Sequence, residues 1–285
     1  MAVLNDLPEY PDLIPLESGH RQLLDETFTQ VQPVICEASF AYQWLWRPYT
    51  DCRLCRHRDR LVLVCASAKT GEDYAFAPFC NDPAEAAEAA VEILREGGPV
   101  RSLARVPEDV ANHMKDVESV RLRHTRDRAD YVHRTADLSE LPGTAFHSKR
   151  NQIRQFRRAC PDAEYRCVDE DLAGACLEFS QRWLKNHPKR DLPALRREVD
   201  TACKMLSNME WLGLYGGVLL HQGEIVAYAL GEPLNEETMV ERVEKADTEY
   251  PGSYQAINRQ FARDVASGYT WINREQDMGV RGLRK

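Results

Sequence analysis

The stretch 216–277 constrains the fold of this chain more than any other part of the sequence. Two apolar runs, 216–220 and 225–231, flank a short turn that contains Gly223. Apolar, β-branched and aromatic residues on both sides of a glycine-bearing turn predict a β-hairpin. A second turn follows, and the alternating segment 238–245 predicts a third strand.

The rest of this stretch predicts a loop, a helix and a final strand. Alternation in the third strand would place four residues on one face: Met239, Glu241, Val243 and Lys245. After the loop 246–253, helical spacing groups an apolar stripe: Tyr254, Ile257, Phe261 and Val265. Residues 269–273 are predicted to form the last strand, and the polar segment 274–279 follows it. The predicted order is therefore hairpin, strand, loop, helix, strand.

The composition is that of a folded protein without a predicted membrane span. Hydrophobic residues make up 43% of the 285 residues and charged residues 29%. No apolar run approaches the roughly 20 residues that cross a bilayer. The first residues lack the basic start and apolar stretch of a signal peptide, so we expect a cytoplasmic protein. The net charge of −8 argues against indiscriminate nucleic-acid binding, but it allows a local basic patch.

Nine cysteines are scattered along the chain, and we expect them to be reduced thiols. Cys52 and Cys55 have the spacing of half a zinc site, and nearby arginines would lower a thiol pKa. Because the sequence offers no second pair with this spacing, we predict no metal site. The segment is interpreted as a hairpin turn before the strand 61–65, with a redox role as the alternative.

Helices and strands alternate through the first half of the chain. The aromatic segment 42–47 is predicted to be a strand that packs in a core. Asp82 and Pro83 predict the start of a helix. The highly charged segment 121–128 marks the predicted boundary between two domains, 1–125 and 126–285.

A helix predicted over 147–158 carries the strongest electrostatic signal. It contains no acid and five full positive charges: Lys149, Arg150, Arg154, Arg157 and Arg158. At about 100° per residue, an apolar side lies opposite the arginines: Phe146, Ile153, Phe156 and Cys160. The basic ridge, with Asn151 on the same helix, is interpreted as a binding surface for tRNA, a lipid headgroup or a nucleotide phosphate. The alternative is a solvated face neutralised by local acids, namely Asp162, Glu164, Asp169 and Glu170.

Several long segments resemble one protein family. GEPLNEETMVERVEKAD, GSYQAINRQFA and INREQDMGVRGLRK are similar to the phosphatidylglycerol lysyltransferase C-terminal domain family, especially its small soluble bacterial members of unassigned function. The likeness extends upstream through DYVHRTADLSELPGTAFHSKRNQIRQF. The element order also resembles the acyl-transferring half of a GNAT-type acyltransferase. The resemblance implies a mixed α/β (α+β) fold of two tandem GNAT-like halves, each with a mostly antiparallel mixed sheet flanked by helices.

The family resemblance implies aminoacyl transfer, with aminoacyl-tRNA as the donor and an amine or hydroxyl as the acceptor. One alternative is an N-acyltransferase that uses acyl-coenzyme A, whose pyrophosphate GNAT enzymes hold at the helix after the splayed strand. Here only Gly252 remains of a glycine-rich loop, and Asp247 and Glu249 would repel phosphates. A non-catalytic ligand-binding module is the third alternative. Family members continue past GLRK with another strand, so the sheet is expected to lack that strand or to close differently.

Candidate site residues follow from the predicted crevice at the end of the third strand. Glu244 is predicted to be the general base or to grip an ammonium group, Lys245 to stabilise negative charge, and Tyr254 to protonate the leaving group. Polar residues of the following helix and of the last strand end are predicted to bind substrate: Gln255, Asn258, Asn273, Arg274, Glu275 and Asp277. Lys149, Arg150, Asn151 and Arg154 are predicted to bind the anionic donor. No cofactor besides these donors is implied.

Overall fold

A computed structural model describes residues 3–67 and 70–279. These residues divide into two compact units, one of 3–67, 70–129 and 277–279 and one of Asp130–Gln276. Each unit has one mixed, largely antiparallel sheet with helices packed beside it. This architecture confirms the predicted fold class. No helix in the described ranges combines the length and the apolar character needed to cross a membrane.

The first unit is built on a sheet in which the strands follow chain order. Neighbours are antiparallel except β4 and β5, which are parallel. The strands are β1 (Ile14–Pro15), β2 (Arg53–His57), β3 (Arg60–Ala66), β4 (Asp73–Ala75) and β5 (Ser102–Leu103). The α-helices are α1 (Arg21–Val31), α2 (Phe40–Thr50), α3 (Pro83–Glu96) and α4 (Glu108–His113). As predicted, Asp82 caps α3, and its carboxylate accepts the Ala84 N–H at 2.8 Å.

The aromatic segment 42–47 is helical, so the strand predicted there was wrong. Ser39 caps α2 by accepting the Tyr42 N–H at 3.0 Å. Phe40 and Leu45 are buried, whereas Trp44 is only half-buried. The N-cap and the helical spacing of buried residues therefore outweigh the strand preference of aromatic side chains.

Cys52 and Cys55 do not act as a pair in the fold. Cys55 lies inside β2 rather than in a turn, and the turn of this hairpin falls at residues 58–59. Cys52 contacts Cys65 of β3 instead, and this contact and burial raise the pKa of Cys52. Burial also raises the pKa of Cys55 to about 12. Both thiols are therefore protonated core residues at neutral pH.

The second unit has a six-stranded sheet in the order β6-β11-β10-β9-β8-β7. Only β10 and β11 are parallel among the pairs of the described sheet. The strands are β6 (Asp130–Arg134), β7 (Glu164–Cys167), β8 (Tyr215–His221), β9 (Glu224–Pro233), β10 (Thr238–Ala246) and β11 (Trp271–Gln276). The helices are α5 (Thr135–Glu140), α6 (His147–Ala159), α7 (Glu170–Asn186), α8 (Pro193–Ser207), α9 (Met209–Leu212) and α10 (Ser253–Arg263).

The predicted hairpin is confirmed as β8 and β9. Its turn residues Gln222 and Gly223 both have positive φ, 53° and 83°. That backbone suits the right-handed twist of the two strands. The predicted last strand is shifted along the chain, because β11 begins at Trp271, two residues later than predicted, and continues to Gln276, so it includes Arg274 and Glu275. Expectations about the chain beyond Gly279 lie outside the described residues.

The two faces of the second sheet pack against different helices. On one face, Ile257 and Phe261 of α10 are fully buried with Met239 and Ala246 of β10. On the other face, α7 packs on β9, where Ser180 and Tyr228 share a buried hydrogen bond of 2.6 Å. The sheet face under α10 is the one that carries the candidate site.

Candidate active site

The parallel strands β10 and β11 are joined only at their beginnings. Their described ladder has three partner pairs, from Thr238 opposite Trp271 to Val240 opposite Asn273. β10 then continues to Ala246 and β11 to Gln276 without further pairing to each other. The strands therefore separate along their second halves, and α10 connects them in the chain. Side chains that point into this split can meet there.

A bulge in β10 decides which side chains meet. Glu241 lies opposite Gly231 and Val243 lies opposite Leu230, so Arg242 is the extra residue. The extra residue shifts the alternation by one position. As a result, Glu241 and Glu244 point to the same face, although residues three apart in a regular strand point to opposite faces. The predicted shared face of Met239, Glu241, Val243 and Lys245 was therefore wrong beyond Glu241.

Glu241 and Glu244 form a compact cluster with Asn258 and Arg274. The Arg274 guanidinium donates to Glu241 Oε2 at 2.7 Å and to Glu244 Oε2 at 2.6 Å. The Asn258 amide donates to the same two oxygens at 3.0 and 3.1 Å. Two carboxyl groups thus share one guanidinium, so one carboxylate charge lacks a counter-ion in the cluster. We call these four residues the carboxylate cluster.

Burial controls the protonation of this cluster. The Glu241 side chain is 2% exposed and that of Glu244 is 13% exposed. Burial, and then the neighbouring Glu241, raise the pKa of Glu244 to about 8, although Arg274 opposes the shift. The negative charge of Glu241 also raises the pKa of Arg274 above its usual value. Glu244 is therefore a carboxyl group that changes its charge near neutral pH, the property expected of a general acid or base.

A second group of polar side chains, which includes the bulge residue Arg242, is paired within the sheet. The Arg242 side chain is fully buried and donates to Glu232 at 2.7 Å and to Glu275 at 2.9 Å. Asn273 is buried and donates to Asp130 at 2.7 Å. Glu275 and Asn273 were predicted to bind substrate, but their hydrogen bonds in the structure are made within the sheet. Their predicted role stays a prediction.

The structure separates Lys245 from Glu244. Lys245 points to the α7 face, where it pairs with Glu198 and lies 4.2 Å above the centre of the Trp183 ring. Tyr254 is half-buried at the start of α10, and burial raises its pKa. The Ala246 backbone and the charge of Glu244 also act on its hydroxyl group, so Tyr254 lies near the end of β10 beside the carboxylate cluster.

The predicted basic helix is confirmed as α6, with Ile153 and Phe156 buried. Its cations are not equivalent. Arg150 donates to the carbonyl groups of Leu141 and Gly143, so it fixes the end of α5. Arg154 is exposed and donates to Asn151.

The other basic side chains of α6 are exposed: Lys149, Arg157 and Arg158. Within the described residues, no salt bridge joins them or Arg154 to the acids of the solvated-face alternative. Lys149 and Arg274 both contribute to a lowered pKa of His133, after burial as the main cause. The first turn of α6 therefore lies close to the carboxylate cluster.

Two other predicted site residues lie at the edges of this arrangement. Gln255 is half-buried on α10, next to Tyr254. Asp277 belongs to the first unit, where it is buried and accepts the Gly279 N–H at 3.0 Å. Sequence reasoning missed Glu241 and Arg242 as site residues. Their signal was two adjacent opposite charges in the middle of a predicted strand, since buried charges must be paired.

The start of α10 is covered by α6. Gly252 precedes α10 with φ of 86°, and a Cβ atom there would lie 1.9 Å from the Gln152 carbonyl oxygen. Ser253, the first residue of the helix, is 1% exposed. The N-terminal N–H groups of α10 are therefore not open to a large anion in the way a pyrophosphate site requires.

The two mixed sheets and the separated parallel pair define a GNAT-like α/β fold. The sequence matches the family described as phosphatidylglycerol lysyltransferase, C-terminal, over residues 28–285. The chain belongs to this family. A comparison with functionally curated proteins finds no match.

Two solved structures illustrate the relationship. A conserved protein of unknown function from Bacteroides thetaiotaomicron is 30% identical, with a TM-score of 0.84 over 95% of this chain and 92% of that one. The C-terminal domain of a "Putative Lysylphosphatidylglycerol Synthetase" from Agrobacterium fabrum is 15% identical, with a TM-score of 0.60 over 90% of this chain and 78% of that one. The second likeness concerns the fold alone.

Proposed function

We propose that this protein is an aminoacyltransferase that moves an aminoacyl group from aminoacyl-tRNA to an amine or hydroxyl acceptor. The carboxylate cluster is the observation that carries this proposal. It combines a buried carboxyl group with a pKa of about 8 and a guanidinium and an amide that hold it in place. Membership of the phosphatidylglycerol lysyltransferase family supports an aminoacyl group as the group transferred.

Glu244 is the general base of this mechanism. Its carboxylate takes a proton from the acceptor amine or hydroxyl while that group attacks the ester carbonyl carbon. The bond between this carbon and the ribose oxygen then breaks, and the ribose oxygen gains a proton to become a hydroxyl group, with Tyr254 as the nearby donor. A base whose pKa lies near the working pH is ionised in a useful fraction of molecules and is still basic enough to accept the proton. Arg274 and Asn258 both donate to Oε2 and hold the carboxylate in place, which leaves Oε1 to take the proton.

Exposed cations on α6 supply the binding surface for the RNA. Arg154, Arg157 and Arg158 lie on one solvent-facing side of the helix, and Lys149 lies nearer the carboxylate cluster. Phosphate groups that replace bound counter-ions give binding that weakens with salt. A cytoplasmic location, where charged tRNA is available, fits this donor.

The covered start of α10 gives acyl-coenzyme A less support as the donor. A pyrophosphate placed there would have to displace the α6 backbone at Gln152. Asp247 adds negative charge to the same loop, where its carbonyl oxygen accepts the Ser253 hydroxyl at 2.7 Å.

Transfer by Glu244→Gln tests the catalytic assignment. The assay follows loss of radiolabel from tRNA pools, each charged with one amino acid, in the presence of polyamines, glycerol derivatives or phosphatidylglycerol micelles. We expect the variant to lose at least 100-fold in rate, the usual scale for a general base. Glu178→Gln is the matched control, because Glu178 is exposed on α7. Wild-type rates in Glu244→Gln would remove Glu244 as the base.

A binding titration separates the donors. Purified protein is titrated with aminoacyl-tRNA and with acetyl-coenzyme A at 50 and 200 mM salt. Salt-sensitive binding of tRNA without binding of coenzyme A supports the proposal. Binding of coenzyme A alone would replace aminoacyl-tRNA with an acyl-coenzyme A donor, and binding of neither would reject both.

A further inference from the structure

A cleft of about 560 Å³ in the second unit shares no residue with the carboxylate cluster. It lies where the start of β11 meets the ends of α10 and β6. Two arginines and two aromatic residues line it, namely Arg134, Arg263, Tyr269 and Trp271. Cavities of 300–1,000 Å³ are typical of sites for small molecules and cofactors. The volume is therefore sufficient for one nucleotide.

The aromatic part of the cleft is arranged for stacking. The Arg134 guanidinium lies 5.6 Å from the centre of the Trp271 ring. Trp271 is half-exposed, and Tyr269 is half-buried beside it in the chain. Nucleobases that are not paired stack on indole and phenol rings and on guanidinium planes. Such stacking depends on the flat surface of the base and tolerates any base.

Positive charge is concentrated around the same cleft. Arg134 forms no salt bridge within the described residues. Arg259 and Arg263 donate to one carbonyl oxygen, that of Ser139, at 2.8 and 2.9 Å. The acid that lines the cleft, Glu140, lies 3.2 Å from Arg263. The cleft therefore has more positive than negative charge.

The crowding of these arginines reaches the basic helix. The pKa of Arg259 is lowered by burial and then by the charges of Arg263 and Arg157. Arg157 belongs to α6, so the positive surface continues from α6 across α10 to the cleft. A phosphate group bound there would relieve the repulsion between neighbouring guanidinium groups. A ligand with both a flat ring and a phosphate matches the lining.

We propose that this cleft binds one unpaired nucleotide of an RNA, with its base against Trp271 and Tyr269 and its phosphate against Arg134 and Arg263. Trp271 and Arg274 are three residues apart in β11, roughly 10 Å at the rise of a strand. The nucleotide is thus bound outside the carboxylate cluster, none of whose residues lines the cleft. The inference rests on the proposed function in that the RNA is the aminoacyl-tRNA donor.

The test uses a single-stranded RNA hexamer with fluorescein at its 5′ end and measures binding to the full chain by fluorescence anisotropy. Trp271→Leu keeps an apolar side chain but removes the ring, and we expect the Kd to rise about 10-fold or more. Arg134→Gln is expected to raise the Kd several-fold and to reduce its salt dependence. Competition by AMP should be stronger than competition by inorganic phosphate, because only AMP supplies a base.

Matched controls lie outside the cleft. Trp211→Leu changes a tryptophan that is 38% exposed, and Arg166→Gln changes an exposed arginine of β7. Both should bind the hexamer within twofold of wild type, and circular dichroism confirms that each variant is folded. Wild-type affinity in both cleft variants, absence of hexamer binding, or equal competition by phosphate and AMP would overturn the inference.

The same variants separate this inference from the proposed function. If the hexamer binds through the cleft but no acceptor receives an aminoacyl group, the proposed function fails and the nucleotide site stands. If transfer occurs with an unchanged KM for aminoacyl-tRNA in Trp271→Leu, the nucleotide site fails and the proposed function stands.

Discussion

Replacing Glu244 with glutamine should remove transfer activity and make the folded protein more stable at high pH. In the folded protein the pKa of Glu244 is raised from 4.5 to about 8, mainly by burial. Folding therefore keeps a proton on this carboxyl group between those two pH values. The favourable contribution is complete below about pH 4.5 and is lost as the pH rises through about 8. Glutamine has the same shape and no charge to bury, so the Glu244→Gln protein does not lose this stability as the pH rises.

The size of the effect follows from the pKa. Each unit of pKa difference corresponds to about 1.4 kcal/mol, so the wild type should lose roughly 4 kcal/mol relative to Glu244→Gln between pH 5 and pH 9. The difference should grow by at most about 1.4 kcal/mol per pH unit. The side chain is only 13% exposed, so solvent screening reduces this value modestly. Arg274 and Asn258 can donate to the glutamine carbonyl as they do to Glu244 Oε2.

Urea unfolding at pH 5, 6, 7, 8 and 9 measures this difference. Tryptophan fluorescence and circular dichroism are followed together, and coincident transitions allow one free energy of unfolding to be assigned. Glu178→Gln provides the reference for replacing an exposed glutamate. A constant gap between Glu244→Gln and wild type from pH 5 to pH 9 would refute the reasoning, because it would mean that Glu244 has an ordinary pKa in the folded protein.

Two further predictions concern α6 and its contact with α10. Arg154→Ala combined with Arg157→Ala should weaken tRNA binding and reduce the slope of log Kd against log salt by about 1.4 to 1.8, measured by titration at four salt concentrations; an unchanged slope would exclude these side chains from RNA binding. Gly252→Ala should destabilise the protein by about 2 kcal/mol or more in urea unfolding, because its Cβ would lie 1.9 Å from the Gln152 carbonyl oxygen and its φ is 86°. Gly268→Ala, with no atom within 4 Å of the new Cβ, is the control and should stay within about 0.5 kcal/mol; equal stability of the two variants would contradict the close contact.

The sequence predicted the elements that depend on local periodicity. The hairpin, α6 and α10 were found from apolar spacing and turn residues, and the basic ridge was found from charge alone. The helix α2 was missed because a cap formed by Ser39 outweighs the strand preference of its aromatic residues. The short helix α5 was also not predicted, because a residue outside it stabilises its end. Its end is fixed by Arg150, which comes from α6 and has no local sequence signal.

The candidate site could be predicted only in part. Glu244 was named from the end of the third strand, Asn258 from the polar face of the next helix, and Arg274 from the end of the last strand. The structure brings these three together. Lys245 was placed with them because it is adjacent in sequence, yet adjacent strand residues point to opposite faces. Glu241 was assigned to the wrong group of neighbours because a one-residue bulge cannot be read from alternation. The identity of the residue opposite the bulge, Gly231, was the available clue.

Gly231 explains why the bulge and the carboxylate cluster occur together. A Cβ atom at this position would lie 2.3 Å from the Val240 carbonyl oxygen and 2.6 Å from the Phe261 ring. The missing side chain therefore allows α10 to pack closely over the bulged part of β10, which brings Asn258 within hydrogen-bonding distance of both carboxyl groups. The close packing also buries these groups, and burial is the main cause of the raised pKa of Glu244. The reactivity proposed for Glu244 thus depends on a glycine in the neighbouring strand, which makes no contact with substrate in this mechanism.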